Sequence, residues 1–360
     1  TSSALYNNSL IVVSGDRSQY ISYTDIYVTD YMSYYTTGSA STEFAGESAL
    51  TSAIDYVTSD NLPKAYVLAG HGESDLPSSL QEDAESEHYT FTSLSLLTEE
   101  TVPDDADMVV IYAPQSDISE TERDTLLAYL AGGGKMLMVL DYTETAQPNL
   151  AAVMAQYGMT LEEGIVLEGD ATHHMRGSNY YLLPDIDSHD ITDPIRDGGY
   201  YILMPVARGR TLDTALRSGL TVSALLETSS DAYAKLDGYA MTTYDKDEGD
   251  IDGPFVLGAA ASETAENGGE TQLVVFTSAR MFEQAASSLV AGANDDLFLN
   301  ALDWMCERAS AISIRAKSLD TEYLTVPTAS ASLLGAVFIA VLPLSFIVVG
   351  AVITIMRRKR

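Results

Sequence analysis

The sequence predicts an α/β fold, a doubly wound and mostly parallel sheet followed by a single C-terminal transmembrane helix. Three observations predict it. Short apolar runs at Ala65–Ala69, Met108–Tyr112 and Lys135–Leu140 alternate with helix-periodic stretches. The connections between them are short, which lays successive strands side by side with crossover helices. The run Leu333–Met356 carries no charge, and about 20 apolar residues suffice to span a bilayer. Arg357, Arg358, Lys359 and Arg360 follow it at once, and the positive-inside rule assigns that end to the cytoplasm.

Composition narrows the function classes. A chain of 360 residues is long enough for about two domains and a sizeable core. Its formal net charge is −33, which repels nucleic acid and anionic head groups. Hydrophobic residues make up 46%, too many for a disordered acidic chain. One cysteine, Cys306, leaves no intramolecular disulfide and no cysteine-based metal cluster. Its neighbours Leu302, Trp304 and Met305 mark it as a packed thiol. Thr1 has no signal-like stretch before it, so the chain reads as lacking an N-terminal portion.

The elements follow in order. Leu10–Val13 is a short strand before a Gly15-Asp16 turn, and Ile21–Val28 alternates as its partner. Glu43–Ser59 is a helix with Phe44, Leu50, Ile54 and Val57 near one face. Lys64–Ala69 is a strand, Leu76–His88 a helix and Tyr89–Leu97 a strand. Met108–Tyr112 is buried. Ser119 caps the helix to Ala131, with Glu122 completing a capping box, and Gly132-Gly133-Gly134 ends it. Lys135–Leu140 is a strand, and Pro148 opens a helix that Gly158 closes. Beyond Leu161 the pattern weakens. Ile165–Leu167 and Tyr200–Val206 read as strands, Gly169–Pro194 as a long loop and Val222–Leu236 as a mixed helix. Pro254–Ala261 and Thr271–Ser278 are strands joined by the loop ETAENGGE. Asn294–Arg308 is an amphipathic helix, and Ile312–Ile314 is a last strand.

The candidate ligand or partner contact is the turn Gly70-His71-Gly72-Glu73. Its two glycines permit φ > 0 and close approach of a ligand. Open α/β sheets bind ligands beyond the carboxyl ends of their strands. The plainer reading is a strand-to-loop turn with a solvated His71 and Glu73. Other chemistry is poorly supplied. Gly46-Glu47-Ser48-Ala49-Leu50 lacks the second glycine of a nucleophile elbow, and Ser74 has no placed partner. His71 with Glu73, His173 with His174, and His189 with Asp190 offer metal donors, but none at helical i, i+4 spacing. Glu248, Asp250, Asp252 and Gly253 match half of an EF-hand loop whose twelfth position is Ala259, not a carboxylate. The triple glycine lacks the Lys-Ser/Thr of a P-loop, so any ATP is hydrolysed by a partner. No catalytic residue, metal site or cofactor is predicted.

The ordered landmarks carry a resemblance. They are AYVLAGHGE from Ala65, YAPQSDISETERDTLLAYLAGGGKMLMVLD from Tyr112, PNLAAVMAQYGMTLEEGIV from Pro148, HDITDPI from His189, NDDLFLNALDWM from Asn294 and ISIRAKSL from Ile312. Together with the apolar run and basic tail they resemble the GldG-type auxiliary components of ABC transporters, a family first tied to gliding motility. The resemblance covers residues 60–360. It implies a non-enzymatic extracytoplasmic domain at 46–326, a transmembrane helix and its approach at 327–356, and a cytoplasmic tail at 357–360. Residues 1–45 resemble the end of a truncated thioredoxin-like domain. The implied partners are an ABC permease and its ATPase at the cell membrane. The sheet topology resembles class I glutamine-amidotransferase-like folds, whose nucleophilic Cys is missing here: Gly70 follows Ala69. The alternative function is an extracytoplasmic sugar-binding receptor or hydrolase using the Gly70–Glu73 turn.

Overall fold

The apolar runs form the middle of an eight-stranded sheet. The computed structural model describes residues 8–30, 41–58, 62–265, 267–306, 317–318, 338–339 and 342–358. Along the chain the sheet strands are β1 (Lys64–Leu68), β2 (Thr90–Leu94), β3 (Met108–Tyr112), β4 (Lys135–Val139), β5 (Asp185–Ile186), β6 (Leu220–Glu227), β7 (Val256–Thr264) and β8 (Glu270–Phe276). Their spatial order is β5-β6-β7-β8-β4-β3-β1-β2. From β8 to β2 all neighbours are parallel. From β5 to β8 all are antiparallel.

The doubly wound, mostly parallel sheet is therefore corrected to a mixed sheet. A parallel pair needs a crossover of about a dozen residues or more. The short Gly-containing turn after Thr264 permits only antiparallel pairing of β7 with β8. The mixed helix expected over Val222–Leu236 is also corrected, since β6 and the strand Tyr233–Lys235 together occupy most of it. Register shifts around Leu226 put Leu225 and Leu226 both in the core, which breaks strand alternation and imitates helical spacing. Gly169–Pro194 is not one loop. It contains strands His174–Met175 and Ser178–Leu182 as well as β5. Of Tyr200–Val206 only Met204–Pro205 is a strand.

Both faces of the parallel block are covered, which explains its unbroken apolar runs. The longer helices before the C-terminal one are α1 (Gly46–Thr58), α2 (Ser78–Ser86), α3 (Glu120–Ala131), α4 (Pro148–Gln156) and α5 (Ala293–Met305). Met108, Val110 and Tyr112 of β3 join Leu80 of α2 and Leu297 and Phe298 of α5 in one core. Val109 and Ile111 join Leu126 and Leu130 of α3 and Leu150 and Val153 of α4 in the other. Full burial of each such side chain contributes about 1.5–3 kcal/mol. The predicted capping box is present: Ser119 Oγ accepts the Glu122 N–H at 3.2 Å, and Glu122 Oε2 accepts the Ser119 N–H at 2.8 Å.

The transmembrane helix expected at the C-terminus is corrected as well. Among the described residues no helix is long and apolar enough to cross a membrane. The helix present, Leu342–Arg358, has 17 residues and ends in two arginines. At about 1.5 Å per residue it rises roughly 26 Å, short of the ~30 Å hydrocarbon core. Pro343 sits in its first turn, where a missing N–H is tolerated and a helix starts. Ile312–Ile314, most of residues 327–341, and Lys359 and Arg360 lie outside the described residues. By compactness the chain divides into Thr1–Tyr27 with Ala45–Ala316, and Val28–Phe44 with Lys317–Arg360.

Candidate functional site

The turn after β1 depends on two left-handed glycines. Gly70 has φ +128° and Gly72 φ +74°. A Cβ on Gly70 would lie 2.9 Å from Leu97 Cδ1, and one on Gly72 would lie 3.2 Å from Gln115 Cβ. The bends fold Glu73 back on the turn. Its Oε2 accepts the N–H of Gly70 at 3.0 Å and of His71 at 2.6 Å, and its Oε1 meets His71 Nδ1 at 2.9 Å.

The imidazole of His71 is buried, 5% exposed, where sequence alone allowed a solvated side chain. Its Nε2 lies 3.1 Å from Oε1 of Glu122 and 3.2 Å from Oε2. Only the Oε2 contact has hydrogen-bond geometry, and Oε1 has no hydrogen-bond partner among the described residues. Each ring nitrogen thus faces a carboxylate oxygen of the chain itself. The His71 carbonyl accepts three further bonds, from the N–H of Gln115 and Ser116 and from Ser116 Oγ. Glu122 is 2% exposed. Burial works to raise its pKa, but the Ser119 N–H and hydroxyl together with His71 outweigh it and hold the carboxyl below its usual range.

This cluster sits at the topological switch point. From β1 the chain crosses to β2 at the sheet edge, and from β3 it crosses to β4 on the other side. The crevice between such diverging strands is the usual ligand position. Here His71, Glu73, Glu122 and the Gln115–Ser116 loop close it. Beside the closure, toward β2, lies a cleft of about 550 Å³. Gly70, Gly72 and Glu73 line it, with Ser74, Asp75, Gln81, Phe91 and Ser93. Of the four predicted contact residues, three thus reach the cleft, and the His71 side chain is turned into the closure.

Sequence reasoning found Glu122 only as a cap. Its second role joins residues 51 positions apart, and nothing local signals that pairing. A smaller cluster at the end of β4 was also missed. Arg280 Nε lies 3.4 Å from Asp141 Oδ2, and Arg280 Nη2 donates to the Tyr239 hydroxyl at 2.6 Å. Burial raises the Asp141 pKa, with Arg280 opposing it.

The remaining sequence candidates have local partners. His173 lies 3.2 Å from Asp170 and 3.4 Å from Asp185, and His174 Nδ1 meets the Met175 carbonyl. His189 packs edge-on against Trp304. In the EF-hand-like loop Lys235 reaches Asp247 and Asp250, and Lys246 reaches Asp252. Among the described residues no group of three or more His, Cys, Asp or Glu is placed to hold a metal. Ser48 lies in α1, and Ser74 is exposed. Burial pushes the Cys306 thiol up to about 12.

Residues 62–302 match the protein family described as an ABC-type uncharacterized transport system. No curated protein matches the chain. Among the solved structures with a distant likeness are three. The mmIFT52 N-terminal domain is 16% identical with a TM-score of 0.48, covering 67% of this chain and 96% of its own. PurLQS from Thermotoga maritima is 10% identical with a TM-score of 0.32, covering 68% and 100%. The exo-beta-1,4-mannosidase Op5Man5 from Opitutaceae bacterium strain TAV5 is 11% identical with a TM-score of 0.31, covering 70% and 36%. At these scores the likenesses carry no functional argument.

Proposed function

This chain belongs to the auxiliary family of ABC-type transport systems, and we propose that within such a system it is a non-enzymatic binding subunit. It works with a permease and an ATPase, outside the cytoplasmic membrane, in a complex of the gliding-motility GldG type. The subtype and location are supported by the order of the landmark segments along the chain.

One observation carries the non-enzymatic reading. At the switch point both ring nitrogens of His71 are taken up by buried carboxylates of the chain itself. A general base needs a free nitrogen within reach of a substrate proton, and this imidazole offers none to the cleft. What stays accessible is shape and backbone: the glycine turn and the cleft toward β2. That inventory suits binding a partner. Ser74 is exposed in the cleft, but the activation of a serine requires an adjacent base, and His71 is committed elsewhere.

The test is co-purification. The full chain, tagged and expressed with the permease and ATPase of its own system, is expected to retain both after solubilisation. Recovery of the chain free of both, under conditions where permease and ATPase stay together, would contradict the reading.

A further inference from the structure

The two edges of the eight-stranded sheet are unlike. One ends on β5, two residues long. The other ends on β2, five residues with the sequence TFTSL. Exposed sheet edges attract foreign strands, and folds blunt them with short strands, charges, prolines or bulges. The β5 edge is blunted by its length. The β2 edge has no charge, no proline and a continuous register against β1.

Its backbone is open on the outer side. The Thr90 N–H donates to the Pro63 carbonyl, and the Leu94 carbonyl accepts the Ala69 N–H. Thr90, Thr92 and Leu94 therefore face β1, and by the two-residue period Phe91 and Ser93 turn their N–H and C=O groups outward. Among the described residues no strand pairs there. Thr90, Thr92 and Ser93 are exposed. Phe91 and Ser93 also line the cleft, with Leu76 nearby and Asp75 on its wall.

We propose that β2 is a docking edge that takes up an extended protein segment as a ninth strand, with basic residues flanking the part that pairs. Strand addition supplies affinity through main-chain hydrogen bonds and specificity through alternate side-chain seats. The cleft offers such a seat, apolar at Phe91 and Leu76. The charge of the guest follows from the host. The chain carries a net −33, and complementary potentials raise both rate and specificity. The same charge disfavours a second copy of this chain as the guest. The inference rests on the reading of the chain as a binding subunit, and it names the kind of segment bound.

The test uses the purified full chain and two synthetic peptides. Each alternates Thr and Val over six residues. One has two lysines at each end and the other two glutamates. Hydrogen exchange of the Phe91 and Ser93 amides is read with each peptide, together with titrated affinity at low salt. The expected result is slowed exchange at both amides with the Lys-flanked peptide, and affinity at least about tenfold above the Glu-flanked one. Ser93→Pro removes an outward N–H without touching the β1 ladder, and binding should be lost. Ser93→Ala should bind as the parent does. Unchanged exchange at both amides, or equal binding by the two peptides, overturns the proposal. So does concentration-dependent self-association that itself protects these amides. If Ser93→Pro melts early, the exchange result on the parent decides. Co-purification with permease and ATPase does not depend on this outcome, so the two readings fail separately.

Discussion

His71 and Glu122 stand 51 residues apart in sequence and 3.1 Å apart in space, both almost fully buried. The pair ties the turn after β1 to the first turn of α3. It makes His71 a part of the architecture.

The first prediction follows from burial. His71→Ala leaves Glu73 and Glu122 buried without their shared partner. Leaving a buried group without its hydrogen-bond partner costs about 1–3 kcal/mol, and a loss in that range is expected. Gly70→Val forces a side chain into φ +128° against Leu97, and about 1–3 kcal/mol of strain is expected. Urea unfolding of the two variants reads both. A loss under about 0.5 kcal/mol for His71→Ala, typical of a surface site, would contradict the buried pairing.

The second concerns pH. Glu122 is an acid held below its usual value of 4.5 in the fold. Such a group stabilises fully above its unfolded pKa, and that contribution is lost as pH falls through the folded value. Glu122→Gln should therefore be less stable than the parent at pH 7. The gap should narrow as pH drops below about 4.5. Melting curves from pH 7 to pH 3 measure it, and a gap that widens toward acid has the wrong sign.

Much of the α/β core was legible because its signals are local. The capping box at Ser119 and Glu122 is an i, i+3 pattern, and β3 and β4 are unbroken apolar runs closed by Pro114 and Asp141. The antiparallel half was less legible. In β6 the irregular register at Leu226 disturbs the two-residue period. The strands between Gly169 and Pro194 are short and polar. The Gly70–Glu73 turn was legible as a bend, but the fate of its side chains was not. That depended on Glu122, which reaches the turn only after β3 and α3 have docked. The apolar C-terminal run illustrates the opposite error. Composition, length and the basic tail gave it a bilayer span, while the described helix begins at Leu342, nine residues into the run.

The third prediction concerns Arg210, which is fully buried. Its Nη2 donates to the Val275 carbonyl at 3.2 Å, its Nη1 lies 3.6 Å from Met159 Sδ, and its Nε has no partner. Burial alone pushes its pKa down to about 9. Apolar residues of similar volume often replace buried charges at no cost or with a gain of about 1–4 kcal/mol. Arg210→Met is expected to match or exceed parent stability in urea. A loss above about 2 kcal/mol would show that the guanidinium contributes more than its bonds to Val275 and Met159 account for.

The central claim is that the chain serves an ABC transporter without chemistry of its own. The most direct measurement is transport by proteoliposomes holding the permease and ATPase, with and without the full chain, beside hydrolase assays on the purified chain. The account predicts ATP-driven transport only when the chain is present, and no hydrolysis of ATP, esters or glycosides by the chain alone. Full transport in its absence, or turnover by the isolated chain that Ser74→Ala abolishes, would contradict it.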